Sequence, residues 1–381
     1  MKEFNLDDLK VDFNNSKNNS NLTHNFHSYP AKFIPAIPRK AIEKLTKEGE
    51  TIMDPFCGCG TTLVEAKILN RRSIGIDSNP LACLISKVKC TKINDFKLIK
   101  IFIKEIEKDI NSLYNNQIDK EAIKIPTFFN VDHWFQKNVQ NELSLIRERI
   151  EKVSDENIKD FLKVAFSAIL VRISNQESDT RYAAIKKDIK DKEVLNVYIK
   201  KVESMISKLR MFNEISSEQE SIVFNADTRN LNKIKENSID LIVTSPPYAN
   251  TYDYYLYHKS RMLWLGMDAK KTQETEFGSR NRHNDKKLGI EDYNENLEAC
   301  FKEIKRVLKK GKYICIIIGD CIIRGEFIDI GPIVIDIGKR NDLDFLGEYK
   351  HSLKKYTRTF NPKFTNSSKF EHVMFFIKKS I

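Results

Sequence analysis

The sequence has no run of 18 uninterrupted apolar residues, so an ordinary membrane-spanning helix is not expected. Its first 15 residues, MKEFNLDDLKVDFNN, lack the apolar core that a secretory signal needs. The seven cysteines are odd in number and scattered along the chain, which favours free thiols over a disulfide framework. These absences together predict a cytoplasmic protein.

Motifs for metals and for phosphate cradles are also missing. Cys57 and Cys59 form a CxC pair, but neither this spacing nor the scattered histidines match a four-ligand zinc pattern, so we predict no metal. No GxxxxGK[ST] motif is present, and this argues against a Walker-type nucleotide site.

Positive charge is what the chain has in excess. Lys and Arg number 64 against 53 Asp and Glu, which gives a net charge of +11. This surplus favours a polyanionic partner, with nucleic acid first. An AT-rich genome that uses Lys and Asn heavily would give the same composition, so charge alone leaves both interpretations open. The apolar fraction of 41% is enough for a sizeable core and excludes disorder throughout.

Apolar spacing divides the chain into three parts. Residues 14–21, NNSKNNSN, are polar and predict a flexible N-terminal arm over 1–23. Strand and helix patterns alternate over 24–94 and again over 221–381, which predicts one α/β domain with a mostly parallel sheet. Residues 95–220 contain no glycine and show helical spacing, so they predict a helical insertion.

Seven strands are expected in the α/β domain, and the last two should pair as a hairpin because no helix separates them. They are predicted at 51–54, 71–77, 221–227, 238–244, 311–320, 344–349 and 371–379.

The first motif is DPFCGCGTT (54–62), which ends the first strand and opens a helix. Gly58 and Gly60 allow a sharp turn and a close approach to a ligand, and the helix start presents free N–H groups. Asp77, at the next strand end, can accept the hydroxyls of a ribose. An ordinary tight turn has the same pattern. We expect Asp54 to face the ligand, where it would repel a pyrophosphate and suit a cation such as S-adenosylmethionine.

Asp227 follows the third strand in FNADTRN. Its carboxylate could accept from an adenine amine, or it could cap a helix.

The second motif, TSPPY (244–248), follows an apolar strand. Two prolines stiffen the loop and remove two N–H donors. We expect Ser245 Oγ and the Pro246 carbonyl to accept from the exocyclic amine of a planar ring, and Tyr248 to stack on that ring.

The two motifs, in this order, resemble those of the S-adenosylmethionine-dependent methyltransferases that modify exocyclic amines of DNA bases. FHSYPAKFIPAIPRKAIEKL (26–45) resembles the segment that packs over the methionine end of the cofactor. The resemblance covers about 24–91 and 221–379. It implies a Rossmann-like fold with a mostly parallel seven-stranded sheet and an antiparallel last strand, which matches the strands expected from the pattern.

The resemblance also implies roles for individual residues. Ser245, Pro246, Pro247 and Tyr248 become the catalytic loop. Cofactor binding is implied for ten positions: Lys32, Phe33, Asp54, Phe56, Cys57, Gly58, Gly60, Thr61, Asp77 and Asp227.

Ser245 at the first position of the catalytic motif is typical of enzymes that act on cytosine N4, whereas the order of the motifs is typical of a class that acts on adenine N6. The Pro-Cys loop of C5-type cytosine methylation is absent. We therefore expect a DNA (cytosine-N4-)methyltransferase of a restriction-modification or defence system that acts on a flipped base in duplex DNA. The alternatives are adenine N6 methylation, guanine N2 methylation in structured RNA, and an inactive nucleic-acid-binding subunit.

Several segments could read the DNA. Basic residues are concentrated at 269–289 and 352–370. Arg181 and Tyr182, in the polar break 174–185, could approach the cleft. The helical insertion is the expected target-recognition region, but its helices could equally form a homodimer face. A cognate restriction endonuclease is the other partner that this function would imply.

Overall fold

The computed structural model describes residues 4–13, 22–179, 181–280, 288–352 and 369–380. Its strands are β1 (Thr51–Asp54), β2 (Arg72–Asp77), β3 (Gln176–Ser178), β4 (Arg181–Ala184), β5 (Ser221–Asn225), β6 (Ile239–Thr244), β7 (Leu308–Gly319), β8 (Cys321–Ile323), β9 (Glu326–Ile328), β10 (Leu343–Ser352) and β11 (Phe370–Lys378).

The helices connect these strands and cover the sheet. They are α1 (Ala36–Leu45), α2 (Thr61–Ile68), α3 (Pro80–Cys90), α4 (Lys97–Tyr114), α5 (Val131–Trp134), α6 (Lys137–Glu151), α7 (Glu156–Ile169), α8 (Glu193–Ile215), α9 (Tyr254–Trp264), α10 (Ala269–Thr275), α11 (Ile290–Val307) and α12 (Ile330–Arg340). Across the described ranges, none of the helices combines the length and the apolar character needed to cross a bilayer.

Seven strands form one sheet in the order β10-β11-β7-β6-β1-β2-β5. Neighbouring strands from β7 to β5 run parallel, whereas β11 is antiparallel to both β7 and β10. The central strand β6, IDLIVT, is buried along its whole length, as expected for a parallel strand covered on both faces. The predicted Rossmann-like α/β fold with an antiparallel last strand is confirmed. All seven predicted strands are present, including the final hairpin.

Two short hairpins were not predicted. One is β3–β4, inside the helical insertion, and the other is β8–β9, after the end of β7. Each strand has only three or four residues, too short for an alternating pattern to stand out in the sequence.

Helices α4 to α8 occupy the segment between α3 and β5, and their apolar faces join the core around α2 and α3. Phe102 and Phe161 of the insertion share one buried cluster with Leu63 and Ile85. The predicted division into a catalytic domain and an insertion remains a prediction. The shared core shows that these helices pack directly beside the two helices that follow β1 and β2.

Part of the predicted N-terminal arm packs on the sheet. Phe4 stacks against Tyr313 with ring centroids 5.8 Å apart, and Leu9 is only 2% exposed. The polar run 14–21 lies outside the described residues. Part of the first basic segment proposed to read DNA, 281–287, also lies outside the described residues, and so does most of the second, 353–368.

Candidate active site

The two motifs start at neighbouring strand ends. In the register, Ile52 of β1 lies opposite Leu241 of β6, which brings the carboxyl ends of both strands to one edge of the sheet. There the Thr244 hydroxyl donates to Asp54 Oδ1 at 2.6 Å. Open α/β sheets bind their ligands at this edge.

Asp77 fixes the glycine-rich turn. Its Oδ2 accepts the Gly58 N–H at 2.8 Å, and its Oδ1 accepts the Asn79 N–H at 2.9 Å. Gly60, the N-cap of α2, has φ +80°, and a Cβ there would lie 2.9 Å from Ser86 Oγ. Backbone conformation and close packing therefore both require glycine at this position.

A cleft of about 870 Å³ opens above this edge. Both motifs and the upstream segment line it. Of the predicted site residues, those that line the cleft are Lys32, Phe33, Phe56, Cys57, Gly58, Thr61, Asp77, Asp227, Ser245 and Pro247. The structure therefore brings the predicted cofactor turn and the predicted catalytic loop to one cavity.

Asp54 differs from the expectation that it faces the ligand. Its side chain is fully buried below the cleft, where Oδ1 also accepts the Phe56 N–H at 3.1 Å. Burial raises the pKa of this carboxyl group to about 7, although hydrogen bonds from its neighbours act in the opposite direction. Asp54 connects the ends of β1 and β6. Gly60 is likewise buried and does not line the cleft.

The predicted catalytic loop is held from behind. The Tyr293 hydroxyl donates to the Pro247 carbonyl at 2.8 Å, whereas Pro246 is buried. Tyr248 is 8% exposed and does not line the cleft, and its hydroxyl donates to Glu371 at 2.7 Å. Ser245 is thus the residue of this loop that presents a hydroxyl to the cleft.

Asp227 lines the cleft but already has a cationic partner. Its two carboxylate oxygens accept from Arg229 Nε at 2.9 and 3.0 Å, and its Oδ1 also accepts the Arg229 backbone N–H at 2.9 Å. The Arg229 guanidinium lies over the Phe277 ring, 5.6 Å from its centroid. Asp227 is therefore held beside an aromatic side chain of the cleft.

Sequence reasoning named no site residue on one wall of the cleft, although four of its residues lie in the basic segment 269–289 that was expected to read DNA. The wall is formed around α9 and α10, by Tyr254, Tyr255, Thr272, Thr275, Glu276 and Phe277. Glu276 accepts the N–H groups of Tyr254 at 2.8 Å and Tyr255 at 3.2 Å, and so caps α9. Burial raises its pKa to about 8. Glu276 lies in a polar segment without a motif, so the sequence gives no signal for it.

Tyr29 was also missed, although it lies within the upstream segment. Its ring covers Gly58, where an added Cβ would lie 3.3 Å from Tyr29 Cε1, and it stacks on His258 with centroids 4.7 Å apart. Arg181 and Tyr182 do not line the cleft. Tyr182, on the hairpin β3–β4, packs against Trp134 of α5. This hairpin contacts α9 through an ion pair between Asp179 and Arg261.

The chemistry of the cleft fits a cationic nucleoside. Asp77, Asp227 and Glu276 supply carboxyl groups, and Phe33, Phe56 and Phe277 supply apolar surface. Burial raises the pKa of Asp77 to about 6, so most of it is ionised at neutral pH. Carboxylates attract an ammonium and a sulfonium and accept ribose hydroxyls, and the rings can pack on an adenine. The residues present therefore fit S-adenosylmethionine.

A group outside the cleft has the composition of a metal site. Ligand atoms of Asp320, Asp329 and His372 lie within 4.8 Å of one another. His372 Nε2 lies 2.9 Å from Asp320 Oδ1, and its Nδ1 lies 2.8 Å from Glu348 Oε2. Burial alone would lower the pKa of His372, but these hydrogen bonds outweigh it and raise the pKa. The imidazole is thus already held between carboxylates.

Comparison with known proteins identifies a family for the chain. The family model described as "DNA methylase" matches residues 7–88 and 239–380, which together are more than half of the chain. The match leaves out the whole of the predicted helical insertion, 95–220. Among solved structures, the rRNA methyltransferase aviRa from Streptomyces viridochromogenes aligns over 93% of this chain and 89% of its own, with 11% identity and a TM-score of 0.35.

Three relatives are Type II methyltransferases by name. The Type II methyltransferase M.MvaI of Kocuria varians is 28% identical over 68% of this chain and 60% of its own. M.MjaII of Methanocaldococcus jannaschii is 26% identical over 83% and 76%, and M.BsoBI of Geobacillus stearothermophilus is 25% identical over 78% and 64%. The chain thus spans less than two thirds of the length of two of these relatives. By the family match, it belongs to the DNA methylase family, the S-adenosylmethionine-dependent DNA amino-methyltransferases.

Proposed function

We propose that the protein transfers the methyl group of S-adenosylmethionine to the N4 amine of cytosine in duplex DNA, at a specific recognition sequence. The observation that carries this proposal is that Asp77 and the Gly58 turn share one cleft with Ser245. A methyl donor bound at the turn and a base amine bound at the loop would then lie in the same cavity, with no further domain movement needed.

The turn and its surroundings hold the donor. The ionised Asp77 accepts ribose hydroxyls while its backbone hydrogen bonds keep the turn in place. Lys32 is exposed at the edge of the cleft, where its ammonium group can pair with the carboxylate of the methionine part. Phe56 and Phe277, with ring centroids 5.9 Å apart, form an apolar slot for the adenine. These contacts orient the donor and exclude water from it.

The catalytic loop activates the amine. Ser245 Oγ accepts one N–H of the amine and the Pro246 carbonyl accepts the other, since the Pro247 carbonyl is occupied by Tyr293. Both bonds favour a pyramidal nitrogen and so make its lone pair available for in-line attack on the methyl carbon. No enzyme nucleophile is needed, because positioning and electrostatics supply most of the acceleration. The base must leave the duplex to reach the loop, at a cost of a few kcal/mol.

Cytosine is favoured over adenine by the side chain of Ser245. The second candidate target is the exocyclic N6 amine of adenine, which the order of the motifs along the chain favours. The family match covers both types of enzyme and so does not choose between them.

Sequence recognition and partners follow from the same assignment. The helical insertion lies outside the family match and packs beside α2 and α3, and we propose that it contacts the DNA next to the cleft. The named relatives are Type II methyltransferases, and a cognate restriction endonuclease is therefore the partner we expect.

The test is to methylate DNA with the purified protein and to identify the modified nucleoside by mass spectrometry. N4-methylcytosine supports the proposal, and N6-methyladenine would overturn its choice of base. Ser245→Ala should lower the rate of transfer about 100-fold with little change in cofactor affinity. Ser238→Ala is the matched control, because its hydroxyl binds the Lys235 carbonyl before β6 begins, far from the loop that follows β6. Methylation of structured RNA alone would contradict DNA as the substrate.

A further inference from the structure

A buried carboxylate on α2 contacts the upstream segment at two separate places. Glu65 is 0% exposed, and its two oxygens have different partners. Oε1 lies 2.7 Å from His24 Nε2, and Oε2 accepts the Arg39 Nε–H at 2.6 Å. Because a carboxylate accepts hydrogen bonds and does not donate them, His24 donates from Nε2. One side chain therefore holds the chain on both sides of residues 25–38.

We call residues 25–38, which lie between these two contacts, the strap. Five consecutive residues of the strap, 29–33, line the cleft. Tyr29 lies over the glycine-rich turn, where a Cβ added to Gly58 would be 3.3 Å from Tyr29 Cε1. Ala31 has φ +55°, in the left-handed region that residues other than glycine rarely adopt. Such a conformation persists only when the surrounding structure fixes it, so the strap borders the cleft in one defined shape.

Helix α2 connects the strap to the turn that it covers. The helix begins at Thr61, directly after Gly60, and Glu65 lies about one helical turn further on. Contacts made at Glu65 therefore fix the strap relative to the glycine-rich turn. Two parts of the cleft lining, the turn and the strap, are thus connected through one helix.

Other contacts attach the strap to the body of the protein. Phe26 meets Phe161 of α7 edge to face with centroids 5.9 Å apart, and at the far end Ile37 of α1 shares a buried cluster with Ala66 of α2. Apolar contacts of this kind have no preferred direction, whereas hydrogen bonds do. A buried ion pair is also rarely more stabilising than apolar packing. Glu65 therefore adds direction to a strap that is already attached.

We propose that Glu65 is a positioning residue for cofactor binding, which holds the strap against the glycine-rich turn through His24 and Arg39 and so pre-forms one side of the cofactor site. The inference rests on the proposed function only for its cofactor, S-adenosylmethionine, and is the same whichever base is methylated. A pre-formed site loses less conformational freedom when its ligand binds. Without these contacts the cofactor should bind more weakly, while the complex, once formed, should react at nearly the same rate.

The first experiment separates binding from turnover. Calorimetry gives the affinity for S-adenosylmethionine, and steady-state methylation of DNA gives kcat and the KM for the cofactor, in wild type, Glu65→Gln, Arg39→Met and the double variant. We expect about fivefold weaker binding in Glu65→Gln and about threefold in Arg39→Met, with KM raised by the same factors and kcat within about twofold of wild type. The double variant should lose less than the product of the two single losses, because both changes break the same contact.

The second experiment needs neither cofactor turnover nor DNA. Hydrogen exchange, followed by mass spectrometry, reports how often the amides of the strap open to solvent. In the protein without cofactor, we expect the strap to exchange faster in Glu65→Gln than in wild type, while the sheet exchanges equally in both. Saturating S-adenosylmethionine should slow the exchange of the strap in the variant to near the wild-type rate.

Two variants in the insertion are matched controls. Glu142→Gln changes an equally buried carboxylate, which accepts the Tyr114 hydroxyl at 2.6 Å and does not line the cleft. Arg149→Met removes a guanidinium that pairs with Asp109 and whose side chain is 27% exposed, against 30% for Arg39. Both controls should bind S-adenosylmethionine as wild type does and leave exchange of the strap unchanged.

Wild-type affinity in Glu65→Gln would overturn the inference. So would a fall in kcat with KM unchanged, which is the pattern of a smaller folded fraction and not of a displaced strap. If Glu65→Gln does not fold, Arg39→Met decides, because its side chain is partly exposed and α1 keeps its apolar contacts. A wild type that binds the cofactor but transfers no methyl group would refute the proposed function, while affinity and exchange would still decide the role of Glu65.

Discussion

The two walls of the cleft reach it in different ways. One, the strand-end wall, is built from the turn 56–61, in which Gly60 is buried beneath the surface, together with Asp77, Asp227 and Ser245, all placed where a parallel strand ends. The other, the helix wall, consists of Tyr254, Tyr255, Glu276 and Phe277 around α9 and α10. The strand-end wall supplies the carboxyl groups of Asp77 and Asp227 and the ring of Phe56, and the helix wall supplies Glu276 and three aromatic rings. Only the strand-end wall is visible in the sequence.

The difference lies in what fixes each residue. Parallel strands end at one edge of the sheet whatever follows them, so a motif after a strand is placed by the fold. Glu276 instead depends on how α10 packs on α9, where its carboxyl group accepts two N–H groups from the first turn. Side chains placed by tertiary packing carry no local pattern. Variants on the two walls should therefore differ in kind, and four predictions test this.

The largest effect is expected at Gly60 on the strand-end wall. Gly60→Ala forces an L residue to φ +80° and puts its Cβ 3.0 Å from the Ser86 Cα, which belongs to the backbone and cannot rotate away. We expect a loss of about 2–3 kcal/mol in the free energy of unfolding, together with loss of cofactor binding. Chemical denaturation and calorimetry measure the two effects.

Gly49→Ala is the control for that variant. Gly49 has a similar φ of +76° with nothing within 4 Å of an added Cβ, so it carries the conformational cost without the clash. About 1 kcal/mol is expected there. Equal losses at both positions would show that Ser86 moves aside and that the close packing of the turn is not required.

Asp77 should have the next largest effect. Asp77→Asn replaces one acceptor oxygen by an NH₂ group that meets a backbone N–H, so both the turn and the ribose contact are weakened. We expect at least tenfold weaker binding of S-adenosylmethionine by calorimetry. Asp240→Asn is a suitable control, because this buried carboxylate accepts the Thr51 N–H at the opposite edge of the same sheet. A similar loss in both variants would mean that the effect comes from the sheet and not from the cleft.

The sequence was sufficient for the sheet and for the strand-end wall because both rest on local patterns. TIMD and IDLIVT are short apolar runs followed by turn residues, and both are strands at the predicted positions. Asp54 shows where this reasoning fails. Its place at a strand end was correct, but its side chain turns inward to Thr244, and only the three-dimensional contact decides that direction. Tyr248 was misjudged for the same reason, since Glu371 is 123 residues away.

Glu276 tests the helix wall through pH. Its pKa is raised to about 8, and a cationic ligand with hydroxyl donors prefers the ionised form, so cofactor affinity should rise as the pH increases through that value. Between pH 7 and 9 we expect about a threefold rise in wild type relative to Glu276→Gln. Titration of the cofactor itself is common to both proteins. Glu274→Gln, an exposed neighbour on α10, should behave as wild type. Parallel profiles for all three proteins would remove Glu276 from the binding site.

The smallest effect concerns the contact between the walls. Phe56 of the strand-end wall meets Phe277 of the helix wall edge to face, with centroids 5.9 Å apart. Phe56→Leu and Phe277→Leu should each weaken cofactor binding about two- to threefold. If the rings form one slot, a double-mutant cycle should give a coupling of about 0.5–1 kcal/mol. A coupling of zero would mean that the ligand uses only one ring. The helix wall would then support the cleft by packing and would not contact the ligand. That outcome is what a binding site built only from residues at strand ends predicts.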